Sequence, residues 1–139
     1  MIVKGLMTPS PIATGASTPV LEARQLMVDK RIRHLLVAEG PKLLGIITDR
    51  DIRLNLPSPA TSLSVWEINY LLARMTVDSA MTKSVITVGP HQNAKEAAAL
   101  MLDHRIGALP VVDGGRLVGI ITETDLLRAF VNSADGGVP

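Results

Sequence analysis

Gly45-Ile46-Ile47-Thr48-Asp49-Arg50-Asp51 and Gly119-Ile120-Ile121-Thr122-Glu123-Thr124-Asp125 share five of seven residues, Gly-Ile-Ile-Thr-x-x-Asp, 74 residues apart. An apolar run ending in Thr, with Asp three residues on, predicts a buried strand feeding directly into a helix that Thr caps. Working outward, residues 3 to 53 align with 77 to 127 without a gap, and about 22 of roughly 51 pairs are identical. They include Val3/Val77, Met7-Thr8/Met81-Thr82, Glu22-Ala23/Glu96-Ala97, Leu26-Met27/Leu100-Met101 and Arg31-Ile32/Arg105-Ile106. The chain is a duplication.

Each copy carries the same series of signals. Ile12 to Thr14, or Val85 to Val88, predicts a brief strand after Met-Thr; Pro19 to Lys30, or Asn93 to His104, predicts a helix. Ala97, Leu100, Met101 and His104 follow the i, i+3, i+4, i+7 spacing of an inward face. Two strands come next, joined through Glu39-Gly40-Pro41-Lys42 in one copy and Asp113-Gly114-Gly115-Arg116 in the other, both hairpin connections. A unit of about 50 residues cannot bury its sheet alone, so the expectation is an α+β fold. In it, two β-α-β-β-α motifs pack sheet to sheet with pseudo-two-fold symmetry. The expected divisions are motif 1 over 1–56, a linker over 57–76, motif 2 over 77–132 and a loose tail over 133–139. The linker opens on a stiff Pro57-Ser58-Pro59 spacer and continues as a helix capped by Ser64 and carrying Trp66 and Tyr70.

Composition narrows the function. The 139 residues are 47% hydrophobic and 19% charged, with mean hydropathy +0.30, as in chains that fold around a core. Aromatics make up 2%, so stacking platforms for single-stranded nucleic acid are nearly absent, and a net charge of +1 does not call for a polyanion or a membrane. With no Cys there is no disulfide and no thiolate nucleophile. The start Met1-Ile2-Val3-Lys4-Gly5 lacks a signal-peptide pattern, and no apolar run reaches the roughly 18 residues of a spanning helix. A cytoplasmic protein is therefore expected. His34, His91 and His104 have no metal-ligand spacing, and no Ser-His-Asp set, Cys-His set or phosphate-binding loop appears, so neither a metal site nor an enzyme is expected.

The repeated aspartates have two readings. Thr and Asp three residues apart form a capping box. A carboxylate in the first turn of a helix can also accept hydrogen bonds from a vicinal diol such as a ribose.

Met-Thr, a short strand, an Ala/Leu/Met helix, Arg-Ile-x-x-Leu-x-Val, an acidic-Gly turn and Gly-Ile-Ile-Thr-x-x-Asp together resemble the CBS domain, here as a tandem pair. Leu54 to Ser62 and the Trp-Glu-Ile-Asn-Tyr-Leu-Leu stretch are further similar to stand-alone CBS pairs of the acetoin-utilisation type. The resemblance implies a regulatory module that senses AMP, ADP, ATP or S-adenosylmethionine in the clefts between the motifs, with no cofactor. It implies a homodimer and a regulated partner protein that the sequence does not identify.

By the same resemblance Asp51 and Asp125 take the ribose hydroxyls, with Thr48 and Thr122 beside them. Adenine would lie among Pro11-Ile12-Ala13, Val85-Ile86-Thr87, Ile32-Arg33 and Ile106-Gly107. Phosphate contacts fall at Arg33 or Gly107 and at Arg50 or Thr124, with His34 close by. The copies differ there: Arg33, His34 and Arg50 face Gly107, Ala108 and Thr124 in the alignment. The Asp51 site is therefore expected to take the more highly charged nucleotide. The competing reading is a ligand-independent interaction or dimerisation scaffold, or a weak nucleic-acid binder using the basic run Lys30 to His34.

Overall fold

A duplicated sequence could fold as two separate halves, each keeping its own residues. The computed structural model, which describes residues 1–56 and 62–133, divides the chain differently. Residues 12–84 form one compact unit; residues 1–11 join the chain from 85 onward in the other. Each motif therefore hands its first residues to the other motif's body. The Pro57-Ser58-Pro59 spacer and residues 134–139 of the expected tail lie outside the described residues.

The Asp51 unit contains strand β2 (Ala13–Thr14), helix α1 (Val20–Lys30), strands β3 (His34–Glu39) and β4 (Lys42–Thr48), and helices α2 (Asp49–Leu54), α3 (Val65–Arg74) and α4 (Val77–Ala80). Its sheet runs β2-β3-β4, with β2 parallel and β4 antiparallel to β3. Val20, Ala23 and Met27 bury one side of α1 against Leu35, Val37 and Ile47, and Ile52 closes the core from α2. Val77 and Ala80, which come from the start of the second motif, complete it. Burying a Val fully contributes about 1.5–3 kcal/mol, so this visiting turn is a working part of the core.

The Asp125 unit repeats the plan. A 3-10 turn (Val3–Gly5) and strand β1 (Thr8–Pro9) join helix α5 (Ala94–His104), strands β5 (Ala108–Asp113) and β6 (Arg116–Thr122) and helix α6 (Glu123–Val131). Its sheet runs β1-β6-β5. Val3, the counterpart of Val77, packs with Ala97, Met101, Leu109, Val111 and Ile121. The registers match across the duplication: Thr8 pairs with Ile120 in one unit and Thr82 with Ile46 in the other. Both hairpins carry an irregularity at the same place, between Val37 and Ala38 and between Val111 and Val112.

The exchange explains the repeated glycine. A Cβ on Gly45 would sit 2.6 Å from the Thr82 carbonyl oxygen, and one on Gly119 would sit 2.6 Å from Met7 Sδ and 2.9 Å from the Thr8 carbonyl oxygen. The Met-Thr segments cross their host strands at a distance that only a missing side chain permits.

Two expectations are modified. The strand expected over Val85 to Val88 reduces to a single parallel bridge between Val88 and Val111, whereas β2 makes two pairs. His104, expected on the inward face of α5, is exposed in the last turn of that helix, while Ala97 and Met101 are buried. The linker helix forms as expected: Ser64 accepts from the Glu67 amide and Glu67 accepts from the Ser64 amide in a capping box. Among the described residues no helix is long and apolar enough to cross a membrane.

Candidate functional site

The strand register gathers the nominated residues of the Asp51 unit. His34 at the start of β3 pairs with Thr48 at the end of β4, and parallel β2 brings Ile12 and Ala13 to the same end of the sheet. Ile32 and Arg33 arrive there because α1 stops abruptly. Its C-cap Arg31 adopts the left-handed conformation at φ 55°, and the Ile32 amide donates back to the Met27 carbonyl at 3.0 Å. Arg105 does the same after α5 at φ 54°, delivering Ile106 and Gly107. A side chain bearing Cβ in this conformation costs about 1 kcal/mol, and both copies tolerate it. In the Asp125 unit the Ala108–Thr122 pair and the Val88–Val111 bridge set Val85, Ile86, Gly107 and Thr122 at the equivalent end.

At this end of each sheet the chain turns into a short helix through the Thr-x-x-Asp corner. The Thr48 amide donates to Asp51 Oδ2 at 2.9 Å, the Thr48 hydroxyl donates to the same oxygen at 3.0 Å, and the Asp51 amide donates to Thr48 Oγ1 at 3.2 Å. Thr122 and Asp125 repeat these bonds at 2.8, 3.1 and 3.4 Å. The capping box is thus real in both copies, and it uses Oδ2. Oδ1 takes no part in it. A carboxylate held this way is fixed in direction by the helix start and still has a second oxygen able to accept hydrogen bonds.

The surroundings of Oδ1 differ. In the Asp51 unit the Thr82 hydroxyl, carried in on the exchanged segment, lies 3.5 Å from it. In the Asp125 unit Arg128 Nη1 lies 3.5 Å from it, over an aspartate side chain 11% exposed. Neither neighbour was nominated from sequence. Thr82 stands 31 residues from Asp51, and its only advance signal was the repeated Met-Thr; Arg128 has no counterpart in the first copy, where position 54 is Leu.

The basic residues divide between the units as well. Asp49 is paired to Arg24 at 3.3 Å and Arg53 at 3.2 Å, which leaves Arg33 and Arg50 exposed and without an ion pair among the described residues. Gly107 and Thr124 hold the matching places in the other unit, where the Gly107 carbonyl accepts from the Glu123 amide at 3.0 Å. Thr124 is exposed, and Ile86 and Ile106 pack against the core. No cluster of His, Asp and Glu suited to a metal occurs among the described residues. An open groove of about 650 Å³ lies at the start of α5, lined by Pro90, His91, Asn93 and Glu96 among others; it contains none of the nominated residues.

The family model of the CBS domain matches residues 3–58 and again 77–132. The chain belongs to the CBS domain family. As a tandem CBS pair it is 35% identical over 133 residues to a CBS domain-containing protein of Dictyostelium discoideum, covering 94% of this chain and 92% of that one. Several other relatives are far longer: the chain is 32% identical over 133 residues to an L-aspartate semialdehyde sulfurtransferase of Methanocaldococcus jannaschii, 93% of this chain but 23% of that protein.

Among solved structures, a putative acetoin utilization protein from Vibrio cholerae superposes with a TM-score of 0.79 at 32% identity, covering 95% of this chain and 91% of that one. CBSX2, solved in complex with AMP, gives 0.80 at 32% identity, covering 96% and 98%. The CBS domain pair of protein MJ0100, solved with 5'-methylthioadenosine and S-adenosyl-L-methionine, gives 0.74 at 29% identity, covering 94% and 99%. The mixed helix and strand architecture with two sheets is that of the tandem CBS fold, and the likeness to stand-alone pairs of the acetoin-utilisation type holds.

Proposed function

We propose that this CBS pair is a non-enzymatic regulatory module that binds an adenine nucleotide at its two Thr-x-x-Asp corners and passes the bound state to a partner protein. The observation that carries this reading is the division of labour on each carboxylate: Oδ2 is committed to the helix cap, while Oδ1 is left outside it. A ribose diol offers two hydroxyls, and a rigidly capped aspartate is a preorganised acceptor for them. CBS pairs solved with AMP and with S-adenosyl-L-methionine support an adenine-bearing ligand. Arg33 and Arg50, exposed and without an ion pair among the described residues, favour a nucleotide with phosphate at the Asp51 corner, AMP, ADP or ATP, over an uncharged nucleoside. His34, at the head of β3, belongs to the same corner. The apolar residues that flank each corner, Ile12, Ala13 and Ile32 in one unit and Val85, Ile86 and Ile106 in the other, suit the faces of a purine ring.

Regulation requires the ligand to favour one of two states of the module, and a homodimer in the cytoplasm is the setting this reading adopts. The test is a thermal-shift titration with AMP, ADP, ATP and S-adenosylmethionine. At a hundred times its Kd a ligand adds about 2.7 kcal/mol, on the order of 8 °C for a chain of this size. A shift with at least one of these compounds that is lost in the Asp51→Asn/Asp125→Asn double variant is expected. No shift with any of them at millimolar concentration removes the reading.

A further inference from the structure

The two corners share one cap, yet only one of them sets a charged side chain against its outer oxygen. Asp125 Oδ2 already receives the Thr122 amide and hydroxyl, and Oδ1 faces Arg128 Nη1 at 3.5 Å. Both oxygens of that carboxylate are therefore engaged, and its side chain is 11% exposed. At the matching place 74 residues earlier stands Leu54, 70% exposed and unable to pair with anything. Asp51 Oδ1 accepts instead from the neutral Thr82 hydroxyl at 3.5 Å, a weak uncharged donor that can turn to another acceptor. Thr8, the counterpart of Thr82, makes no bond to Asp125 among the described residues.

The geometry points to Arg128 as the specificity-determining residue that sets the Asp125 corner below the Asp51 corner in affinity for a ribose diol, an inference that rests on the function proposed above. A diol approaching Asp51 shares Oδ1 with one neutral hydroxyl. One approaching Asp125 must displace the guanidinium or share Oδ1 with it. Arg128 is 64% exposed, so the pair is a screened surface pair, and its competition corresponds to a two- to five-fold difference in Kd, about what exposed ion pairs are worth. The arginine lies one helical turn beyond the aspartate, so α6 carries both partners of the pair.

The test isolates each corner. In an Asp51→Asn background, which silences the first corner, adenosine and AMP are titrated calorimetrically with and without Arg128→Leu. Removing the arginine is expected to tighten both ligands two- to five-fold. In the reciprocal Asp125→Asn background, Leu54→Arg is expected to weaken both by a similar factor.

Adenosine and AMP binding that is unchanged by Arg128→Leu overturns the inference, and so does AMP binding that weakens while adenosine stays constant, since that assigns Arg128 to phosphate. A control separates these from failure of the underlying reading. If the unmodified chain binds neither ligand, or the double Asp→Asn variant binds as well as the unmodified chain, the proposed function falls and this inference falls with it. Far-ultraviolet circular dichroism of each variant confirms that α6 is retained.

Discussion

The Asp51 unit and the Asp125 unit follow one backbone plan and set different charges on it. Register, hairpin irregularity, left-handed helix exit and capping box recur at positions 74 apart. The side chains around the two carboxylates do not. The first unit surrounds its corner with Arg24, Arg33, Arg50 and Arg53 and uses Asp49 to hold two of them. The second has Gly107 and Thr124 instead and places one arginine, Arg128, on the carboxylate itself. A duplication that keeps register, helix exit and cap while letting the corner charges diverge separates what holds the backbone from what selects a ligand.

The largest expected effect tests the shared part. Gly45→Ala drives a Cβ to 2.6 Å from a backbone oxygen of the exchanged segment, which cannot step aside; Gly119→Ala first meets a flexible Met7 side chain. Overpacking of this kind costs about 1–3 kcal/mol. Urea denaturation is expected to show a loss of about 3 kcal/mol for Gly45→Ala and about 2 kcal/mol for Gly119→Ala. Equal and negligible losses would mean the crossing segments are not seated as described.

A smaller effect, confined to one unit, tests the divergent part. Replacing Arg33 and Arg50 together by Ala is expected to weaken ATP binding about tenfold while leaving adenosine unchanged, because charge-assisted bonds to phosphate are lost and those to ribose are not. Calorimetric titration of both ligands at two salt concentrations measures it; an equal loss for adenosine would assign the arginines to the fold.

The smallest effect should be the same in both units. Thr48→Ala and Thr122→Ala each remove a cap acceptor and are expected to cost about 1 kcal/mol, within a few tenths of each other. Thermal melts of the two variants check the match, and a cost in one unit alone would break the equivalence of the two caps.

Much of this was legible in the chain. The repeat, both hairpins, the Ser64-capped linker helix and the Thr-x-x-Asp corners follow from local chemistry: turn residues at fixed offsets, apolar runs of strand length, and a cap whose partners lie three residues apart. What was not legible depends on distance along the chain. Nothing near Met7-Thr8 announces that its host strand is β6, more than a hundred residues on, or that Met81-Thr82 returns to β4. The repeated glycine opposite each segment was visible, but its reason lies in a backbone approaching from elsewhere. Thr82 and Arg128 carry no local signal for related reasons: one reaches Asp51 through the exchange, and the other sits at a position where the copies disagree, so the repeat does not mark it. The strand expected at Val85 to Val88 contracted to one bridge because apolar alternation over four residues does not fix how many of them pair.

The central claim is that two capped aspartates each hold one oxygen outside the cap for a nucleotide, against a neutral competitor at Asp51 and a charged one at Asp125. Calorimetric titration of AMP into Asp51→Asn and, separately, Asp125→Asn tests it most directly, since Asn keeps an oxygen for the cap and replaces the outward acceptor with a donor. The prediction is that both variants melt within about 1 kcal/mol of the parent. Asp51→Asn should lose the tighter phase of binding, and Asp125→Asn the weaker one. AMP binding that is unaltered in both variants, with both still folded, would contradict the account.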